Sequence, residues 1–288
     1  MLYIVGLVRN AEKTIASDIR RLDAATQRFQ NKQWFLVESD SDDGTLQALG
    51  SLRDEITGFS FQSLGNLRQE LPDRVDRIAY CRNAYLDWVT TRASLGSNDW
   101  VLIADLDGIN TLVDEFGVTA ALNSGDADAY FANQLGPYYD IFALRAPNWC
   151  ETDVFHEMHK LTAQGVQGLK AYRAAVQSKM ITIPRTAEPI EVDSAFGGLA
   201  FYRASIIGDA RYASRDELGQ AVCEHVVFNH AIKERGARLV VFPQLINAKY
   251  TDHTTHLKPM MRIFGALGVG IFGPKLAARA YLLLRRYW

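Results

Sequence analysis

Residues 100–108, WVLIADLDG, decide how this chain folds and where its chemistry lies. The residues from Trp100 to Ala104 are all apolar, which is typical of a strand buried on both faces of a sheet. The run ends in Asp105 and Asp107, two acids separated by one residue, so both carboxylates can project from the same side of the chain. The stretch therefore predicts a buried β-strand with an acidic pair at its carboxyl end.

Two strand-and-helix units precede this stretch. Residues 2–8 form an apolar run followed by Arg9 and Asn10, and apolar residues then recur at helical spacing. Residues 34–37 form a second apolar run, which ends in the polar loop ESDSDDGT of residues 38–45. Because each strand delivers a polar loop to the same edge, the pattern predicts an α/β fold whose ligand site lies beyond the carboxyl ends of the strands.

The rest of the pattern adds elements to the same sheet. We predict further strands over residues 59–64, 127–132, 139–144, 195–202 and 238–242, the last ended by Pro243. We predict helices over residues 74–90 and 221–234, and another from a cap at Asn110 to about residue 122. The expected fold class is therefore α/β, a Rossmann-like mixed sheet flanked by helices.

Composition predicts one domain followed by a tail. The chain has 288 residues, of which 48 % are hydrophobic, enough for a sizeable core. The formal net charge of −2 is uneven, because the chain after His256 carries six cations and no acid. We predict an acidic domain over residues 1–257 and a basic amphipathic segment over 258–288. An acidic domain argues against nucleic acid as a partner, since binding it requires a basic face.

The cysteines and apolar segments predict a cytoplasmic protein. Three widely spaced cysteines without a CxxC pair suggest neither a disulfide framework nor a cysteine zinc site. The first residues lack the features of a signal peptide. Residues 263–284 are apolar but are interrupted by Lys275 and Arg279, which argues against a membrane-spanning helix.

The acidic pair Asp105 and Asp107 predicts a divalent cation. Mg²⁺ and Mn²⁺ prefer oxygen ligands and phosphate groups, and such an ion can neutralise a diphosphate leaving group. His253 and His256 follow the last predicted strand, where either one can supply a further ligand. Acidic pairs of this spacing also cap helices or lie solvated on surfaces, and that interpretation stays open.

Two further features fit a nucleotide. The loop of residues 38–45 offers carboxylates and hydroxyls to a nucleoside, although an ordinary acidic turn has the same composition. Arg82 lies on the apolar stripe of helix 74–90 and needs a partner, because an unpaired buried cation is costly. A diphosphate and a buried ion pair with Asp or Glu are the two alternatives.

Several motifs together resemble a known family. LVRNAEKTI (7–15), VESDSDDGT (37–45) and the DxD stretch WVLIADLD (100–107) are similar to the GT-A glycosyltransferases. The capsule-associated fungal α-1,3-mannosyltransferases of glycosyltransferase family 69, with their bacterial relatives, have successive motifs that resemble RIAYCRNAYLDW (77–88), DAYFANQLGPYYDIFALR (128–145), VDSAFGGLAFYR (192–203) and residues 223–250. The resemblance covers most of the chain and implies a GT-A fold.

The resemblance implies a hexosyltransferase that uses a nucleotide-diphosphate sugar with Mn²⁺ or Mg²⁺ and retains the anomeric configuration. Mannose from GDP-mannose is the fungal donor. GDP- and UDP-sugars both stay open, because the second loop begins with Glu38 and Ser39 where common inverting relatives have two aspartates. The implied acceptor is a glycan or glycolipid, in polysaccharide biosynthesis of capsule or lipopolysaccharide.

The resemblance also implies roles for individual residues. The implied catalytic residues are Glu224, His225 and Asp140. Asp105 and Asp107 would hold the metal, and His253 and His256 remain candidate ligands because of their position after the last predicted strand. The donor-binding residues would be Val8, Arg9, Asn10, Glu38, Ser39, Asp43, Arg82, Asp105, Arg145, Gly197 and Gly198.

Two other functions stay open. VLIADLDGINTL (101–112) resembles the signature of haloacid-dehalogenase-type phosphatases, with Asp105 as nucleophile and Asp107 as acid/base. That family has Thr where Ile109 stands, and it usually has this motif near the start of its domain. A non-catalytic sugar- or nucleotide-binding module is the second alternative, against which the intact acids count.

The basic segment 258–288 predicts a membrane contact. Its cations are interleaved with Leu, Phe, Tyr and Trp, a composition that suits an anionic membrane surface. A helix packed on the domain is the alternative. We therefore predict a cytoplasmic protein that is peripheral on the inner face of the cytoplasmic membrane.

Overall fold

The computed structural model describes residues 1–91, 95–96, 98–251 and 254. The chain divides into two units, Met1–Lys249 and Tyr250–Trp288. The first unit is described here. The predicted ligands His253 and His256 and the basic segment 258–288 lie outside the described residues, so the expectations that rest on them stay predictions.

An eight-stranded mixed sheet forms the centre of the first unit. The strands are β1 Leu2–Val8, β2 Lys32–Glu38, β3 Phe59–Ser63, β4 Trp100–Asp105, β5 Ala129–Gln134, β6 Ile190–Glu191, β7 Leu199–Arg203 and β8 Leu239–Ala248. Their order in the sheet is β3-β2-β1-β4-β7-β5-β8-β6. The first four strands are parallel, whereas β7 runs antiparallel to both of its neighbours. The predicted α/β fold with a mixed sheet is confirmed.

Helices cover both faces of this sheet. They are α1 Ile15–Ala25, α2 Thr45–Glu55, α3 Arg74–Thr90, α4 Glu115–Ser124, α5 Val154–Ala163, α6 Gly168–Ala175, α7 Ala204–Ile207 and α8 Glu224–Lys233. α1, α2 and α4 pack on one face, and α3 and α8 on the other. No helix among the described residues is long and apolar enough to cross a membrane.

The stretch from Trp100 to Ala104 is buried on both sides, as its composition predicts. Trp100, Leu102 and Ala104 contact the core cluster under α1 and α4. Val101 and Ile103 contact the opposite cluster under α3 and α8. Because alternate residues of one strand serve both cores, the end of β4 is fixed from both faces of the sheet.

Two predicted elements are wrong. Residues 139–144 form an irregular segment with a turn at 141–143 instead of a strand, and the Ile141 amide donates to the Tyr139 carbonyl at 3.0 Å. Most of their side chains are buried in a loop, a case that apolar patterning alone cannot separate from a strand. Asn110 does not cap α4, whose N-cap is Asp114. The Asn110 side chain is instead wholly buried.

Two predicted strands have different bounds. The strand predicted over 195–202 begins later, because Gly197 and Gly198 adopt left-handed φ values of +71° and +85° before it. Pro243 does not end β8, which continues beyond it. The pairing of β8 with β5 shifts register at this point, and such an irregularity accommodates a residue without an N–H donor.

The strand ends that carry polar residues meet at one edge of the sheet. β1, β2, β4, β5 and β8 run in one direction, so their carboxyl ends lie together, and β7 begins at this edge because it runs the other way. The chain order reverses between the neighbouring strands β1 and β4. The crevice at such a reversal is where open α/β sheets bind ligands.

Candidate active site

A buried arginine joins two acids at this edge. Arg82 lies on α3, and its side chain is 6 % exposed. Its Nε donates to Glu224 Oε1 at 3.0 Å, and its terminal nitrogens donate to Asp105 Oδ1 at 3.3 Å and to Tyr85 Oη at 3.2 Å. Of the two partners considered for Arg82, a diphosphate or a buried acid, the structure shows the buried acid. This pairing brings α3, the end of β4 and the start of α8 together.

Two aromatic rings enclose the same guanidinium. The Arg82 Cζ lies 5.1 Å from the ring centroid of Phe196 and 5.5 Å from that of Tyr212. Cation–π attraction at desolvated sites is worth about 2 kcal/mol, so the rings stabilise the arginine beyond its ion pairs. Sequence reasoning missed both rings, because in the sequence each is only one apolar position among many.

The charges around Asp105 leave an excess of negative charge. Its side chain is 31 % exposed. Burial is the main cause that raises the pKa of its carboxyl to about 7, and Arg82 opposes this rise. The carboxylates of Asp107, Asp140 and Glu224 add to it. A single guanidinium therefore faces several acids, and such a site favours binding of a further cation.

A glycine pair links Asp105 to Asp140. The Asp105 amide donates to the Gly198 carbonyl at 2.9 Å. The Gly197 amide donates to Asp140 Oδ2 at 3.0 Å. Because a Cβ on Gly198 would lie only 2.7 Å from Tyr139 Oη, the backbone fits here only as glycine. The predicted residues Gly197 and Gly198 thus lie between two of the predicted acids.

His225 is a buried, neutral neighbour of Glu224. It is 2 % exposed, and its ring stacks on Phe196 with centroids 3.9 Å apart. Burial lowers the pKa of His225 well below its ordinary value, and the charge of Arg82 lowers it further. Neither ring nitrogen has a hydrogen-bond partner among the described residues. His225 therefore contributes shape and a neutral ring beside Glu224.

The loops after β1 and β2 bind each other. The Asn10 amide donates to Ser41 Oγ at 3.1 Å, and Asn10 Oδ1 accepts from the Asp42 amide at 2.9 Å. Asp43 accepts from the Glu12 amide at 3.2 Å. Arg9 follows Val8 at the tip of β1; it is exposed, and its Nε donates to the Asp40 carbonyl of the second loop at 3.3 Å. The predicted nucleotide loops are therefore adjacent and preordered.

Glu38 is buried, and its hydrogen bonds hold the second loop in place. It is 1 % exposed, and its two carboxylate oxygens accept from the Ser41 amide at 2.9 Å and from the Ser63 hydroxyl. Ser39, the next residue, is half-buried with its Oγ 3.6 Å from Cys81 Sγ. A buried carboxylate with both oxygens engaged shapes the loop. Ser39 is the more accessible of the two predicted contacts.

Arg145 is held by its own surroundings. Its guanidinium forms an ion pair with Asp153 and donates to the carbonyls of Phe142 at 3.2 Å and Leu144 at 2.6 Å. Burial lowers the pKa of Arg145. These bonds order the irregular segment that carries Asp140, so the structure gives Arg145 a role in shaping that segment.

The loop that carries Asp107 is anchored to α1. Asp18 on α1 is 1 % exposed, and its Oδ2 accepts from the Gly108 amide at 2.8 Å. Burial raises the pKa of Asp18, and its other oxygen lies 3.8 Å from Arg21. In the sequence, the signal for this contact is an acid, Asp18, among apolar residues on the buried face of α1. That signal does not identify Gly108 as the partner.

The donor set fits a cation that arrives with phosphate. Among the residues that the structure describes, no cluster of three or more His, Cys, Asp and Glu side chains could hold a metal ion. Asp105 and Asp107 offer two carboxylates from one strand end, and Asp107 is exposed. Mg²⁺ is commonly bound by one or two carboxylates while phosphate oxygens and water complete its shell. Asp105 and Asp107 supply the carboxylates that such a site needs.

Known proteins resemble this chain at the level of structure. No protein-family model matches the chain, and no curated protein matches it. Staphylococcus aureus TarS 1–349 is 14 % identical, with a TM-score of 0.48 over 96 % of this chain and 68 % of that one. The mannosyltransferase PcManGT from Pyrobaculum calidifontis, in complex with GDP-Man and Mn²⁺, is 15 % identical, with a TM-score of 0.49 over 98 % and 69 %.

A third solved structure is glucosyl-3-phosphoglycerate synthase from Mycobacterium tuberculosis in complex with UDP. It is 16 % identical, with a TM-score of 0.40 over 93 % of this chain and 79 % of that one. Because similarity at this level does not carry an activity from one protein to another, function has to be assigned from the site's own residues.

Proposed function

We propose that the protein is a metal-dependent GT-A glycosyltransferase that moves a hexose from a nucleotide-diphosphate sugar to a glycan or glycolipid. The observation that supports this most is the position of the Asp105–Arg82–Glu224 cluster. It lies at the carboxyl edge of the sheet, where the strand order reverses between β1 and β4. The two preordered loops after β1 and β2 lie on one side of this reversal and the Asp105–Asp107 loop after β4 lies on the other, an arrangement that suits a nucleotide site.

Asp105 and Asp107 are the residues that would hold Mn²⁺ or Mg²⁺. When bound, the cation would neutralise the negative charge that develops on the leaving diphosphate. Asp105 is held at its backbone by Gly198 and at its carboxylate by Arg82. Asp107 is exposed, and its Oδ1 accepts from the Ile109 amide of the same loop at 3.3 Å, so its carboxylate can turn toward an incoming phosphate.

Glu224 is the proposed residue at the reaction centre. Its carboxylate is 10 % exposed and is held by Arg82, so it is fixed in direction before substrate arrives. A fixed carboxylate can orient the acceptor hydroxyl or stabilise positive charge on the sugar in the transition state. Asp140 and His225 complete this side of the site: Asp140 binds the Gly197 amide, and His225 stays neutral.

The donor side of the proposal uses the two preordered loops. Arg9 is exposed at the tip of β1, where a guanidinium can bind a diphosphate, and Ser39 lies at the end of β2. The sequence resemblance favours mannose from GDP-mannose with retention of configuration. Because both Glu38 carboxylate oxygens are engaged, by the Ser41 amide and by the Ser63 hydroxyl at the end of β3, other groups would distinguish guanine from uracil.

We also propose that residues 258–288 bind an anionic membrane surface on the cytoplasmic side, next to a lipid-linked acceptor of capsule or lipopolysaccharide type. The full chain should sediment with anionic liposomes at low salt. Arg285→Gln together with Arg286→Gln should weaken this binding by about 2 kcal/mol, since each cation contributes about 1 kcal/mol. Equal binding to neutral liposomes, or no binding at all, would contradict the proposal.

The decisive test is a panel of nucleotide sugars with Mn²⁺, in which release of the nucleoside diphosphate is measured. The full chain should hydrolyse or transfer from one donor, and Asp105→Asn should abolish the reaction. Asp209→Asn is the matched control, because it makes the same substitution at an exposed acid that pairs with Arg235 and not with the site residues. Turnover of p-nitrophenyl phosphate instead would identify a phosphatase, and donor binding without turnover would identify a binding module.

A further inference from the structure

We propose that three buried side-chain amides, Asn110, Gln134 and Asn247, form a positioning relay that holds Asp105 and Asp140 in their working geometry. The three residues come from the loop after β4, the end of β5 and the end of β8. Each is wholly buried. The proposal rests on the proposed function, because it concerns the residues that hold the acids of that site in place.

The relay begins at Asn110, which holds the backbone of Asp105. Asn110 Nδ2 donates to the Asp105 carbonyl at 2.7 Å and to the Gly198 carbonyl at 3.1 Å. The Asp105 amide donates to the same Gly198 carbonyl at 2.9 Å. Both backbone polar groups of Asp105 are therefore tied to this turn, and the direction of its carboxylate follows from them.

Asn247 connects the two glycines. Its Nδ2 donates to Asn110 Oδ1 at 2.9 Å and to the Gly197 carbonyl at 2.8 Å. Gly197 in turn donates its amide to Asp140 Oδ2 at 3.0 Å. Because one amide group binds both Asn110 and Gly197, displacement of Asn247 would loosen the supports of Asp105 and Asp140 together.

Gln134 fixes the far end of the relay. Its Nε2 donates to Asn247 Oδ1 at 3.0 Å and to the Gly197 carbonyl at 3.3 Å. Both acceptors of the Gln134 amide nitrogen therefore belong to the relay.

The chain offers a matched comparison for the relay. Asn133 precedes Gln134 on β5 and is also wholly buried. Its Nδ2 donates to two carbonyls, of Ile183 at 3.1 Å and Pro243 at 3.0 Å, in the same way that Asn247 Nδ2 binds two acceptors. These two donated bonds lie outside the relay. The Asn133 Oδ1 also accepts from the Gln134 backbone amide at 2.8 Å, and an aspartate at position 133 keeps an oxygen for that bond. Asn133→Asp and Asn247→Asp therefore remove the same donor from equally buried sites, and only the second breaks the relay.

Two measurements on the full chain separate a positioning role from a merely structural one. The first is hydrogen exchange of the peptide that contains the Asp105 amide, which should exchange faster in Asn247→Asp and at the wild-type rate in Asn133→Asp. The second is titration with Mn²⁺ alone, followed by electron paramagnetic resonance. Asn247→Asp should weaken Mn²⁺ binding by about tenfold to a hundredfold, the usual effect of losing a group that orients a ligand.

Asn247→Ser, which keeps a smaller hydrogen-bonding group, replaces Asn247→Asp in both measurements if the aspartate variant does not fold. Its exchange and Mn²⁺ affinity should shift in the same direction. Unchanged exchange at Asp105 and unchanged Mn²⁺ affinity in a folded Asn247 variant would overturn the relay, as would equal changes in Asn133→Asp. If the wild-type chain itself binds no Mn²⁺, the metal in the proposed function fails, and the exchange rates still decide whether the relay exists.

Discussion

The Nε of Arg82 and Oε1 of Glu224, 142 residues apart in sequence, form a buried hydrogen-bonded ion pair at 3.0 Å. The pair joins α3 to α8 directly above the carboxyl edge of the sheet. Both side chains are largely shielded from water, with 6 % and 10 % exposure. Their charges are therefore compensated inside the protein, and loss of one partner leaves the other buried and uncompensated.

Arg82→Met should lower the free energy of unfolding by about 3–5 kcal/mol, the usual cost of removing one member of a buried ion pair. Urea denaturation at neutral pH measures the change. Arg211→Met is the matched control, because Arg211 pairs with Asp87 at a similar 3.2 Å but on an exposed surface. The control should change stability by no more than about 1 kcal/mol. Equal effects of the two substitutions would show that the buried pair does not stabilise the fold.

Asp105→Asn and Asp107→Asn should each lower turnover by orders of magnitude while the melting temperature stays the same or rises. Removing one of several mutually repelling acids relieves like-charge repulsion in the metal-free protein. Arg82 keeps Glu224 and Tyr85 as partners in Asp105→Asn. Thermal unfolding and donor turnover are measured on the same samples. A variant with full activity that still requires metal would remove these acids from the metal site.

The position of the acidic pair at a strand end was predictable from local pattern. The apolar run of residues 100–104 predicted a buried strand that ends at Asp105, and the structure has that strand over Trp100–Asp105. The partners of Arg82 were not predictable. Glu224 follows it by 142 residues, and only the packing of α3 against α8 brings the two together.

The relay amides and the loop before α5 show the same limit. Asn110 resembles a helix cap by local spacing, but the structure uses its side chain to hold Asp105 and Gly198. Residues 139–144 are mostly apolar and buried, although they form an irregular segment with a turn at 141–143. Local sequence patterns predict burial and secondary structure, whereas the polar partner of a distant residue is determined by the three-dimensional arrangement.

Glu224→Gln should reduce kcat far more than it raises the donor KM. A carboxylate at the reaction centre acts mainly on the transition state, whereas the amide keeps the size of the side chain and an oxygen that can accept from Arg82. Steady-state kinetics with the donor found by the panel measure both constants. If the variant is instead less stable but keeps its rate per folded molecule, Glu224 serves the fold at the start of α8.

His225 should make the protein less stable in acid. Its folded-state pKa lies well below that of the unfolded chain, so below about pH 6.5 the unfolded state binds the extra proton and stability falls as pH decreases. Compared with His225→Phe, the wild type should lose up to about 1.4 kcal/mol per pH unit in this range. Urea denaturation between pH 7.5 and 5.5, about one unit on either side of 6.5, measures the slopes. Equal slopes would show that His225 can be protonated in the folded protein.

Gly198→Ala should be clearly more destabilising than Gly219→Ala. Both glycines have positive φ, +85° and +73°, so each substitution carries a backbone cost of about 1 kcal/mol or more. Only at Gly198 would the new Cβ also meet other atoms, with Tyr139 Oη at 2.7 Å, whereas nothing lies within 4 Å at Gly219. Crowding of this kind adds about 1–3 kcal/mol.

Because the Gly198 carbonyl accepts from the Asp105 amide, Gly198→Ala should also lower donor turnover per folded molecule, and Gly219→Ala should not. Urea denaturation and kinetics on the two variants give both comparisons. Equal loss of stability would show that the glycine turn accommodates a methyl group, and equal turnover would show that Asp105 is undisturbed.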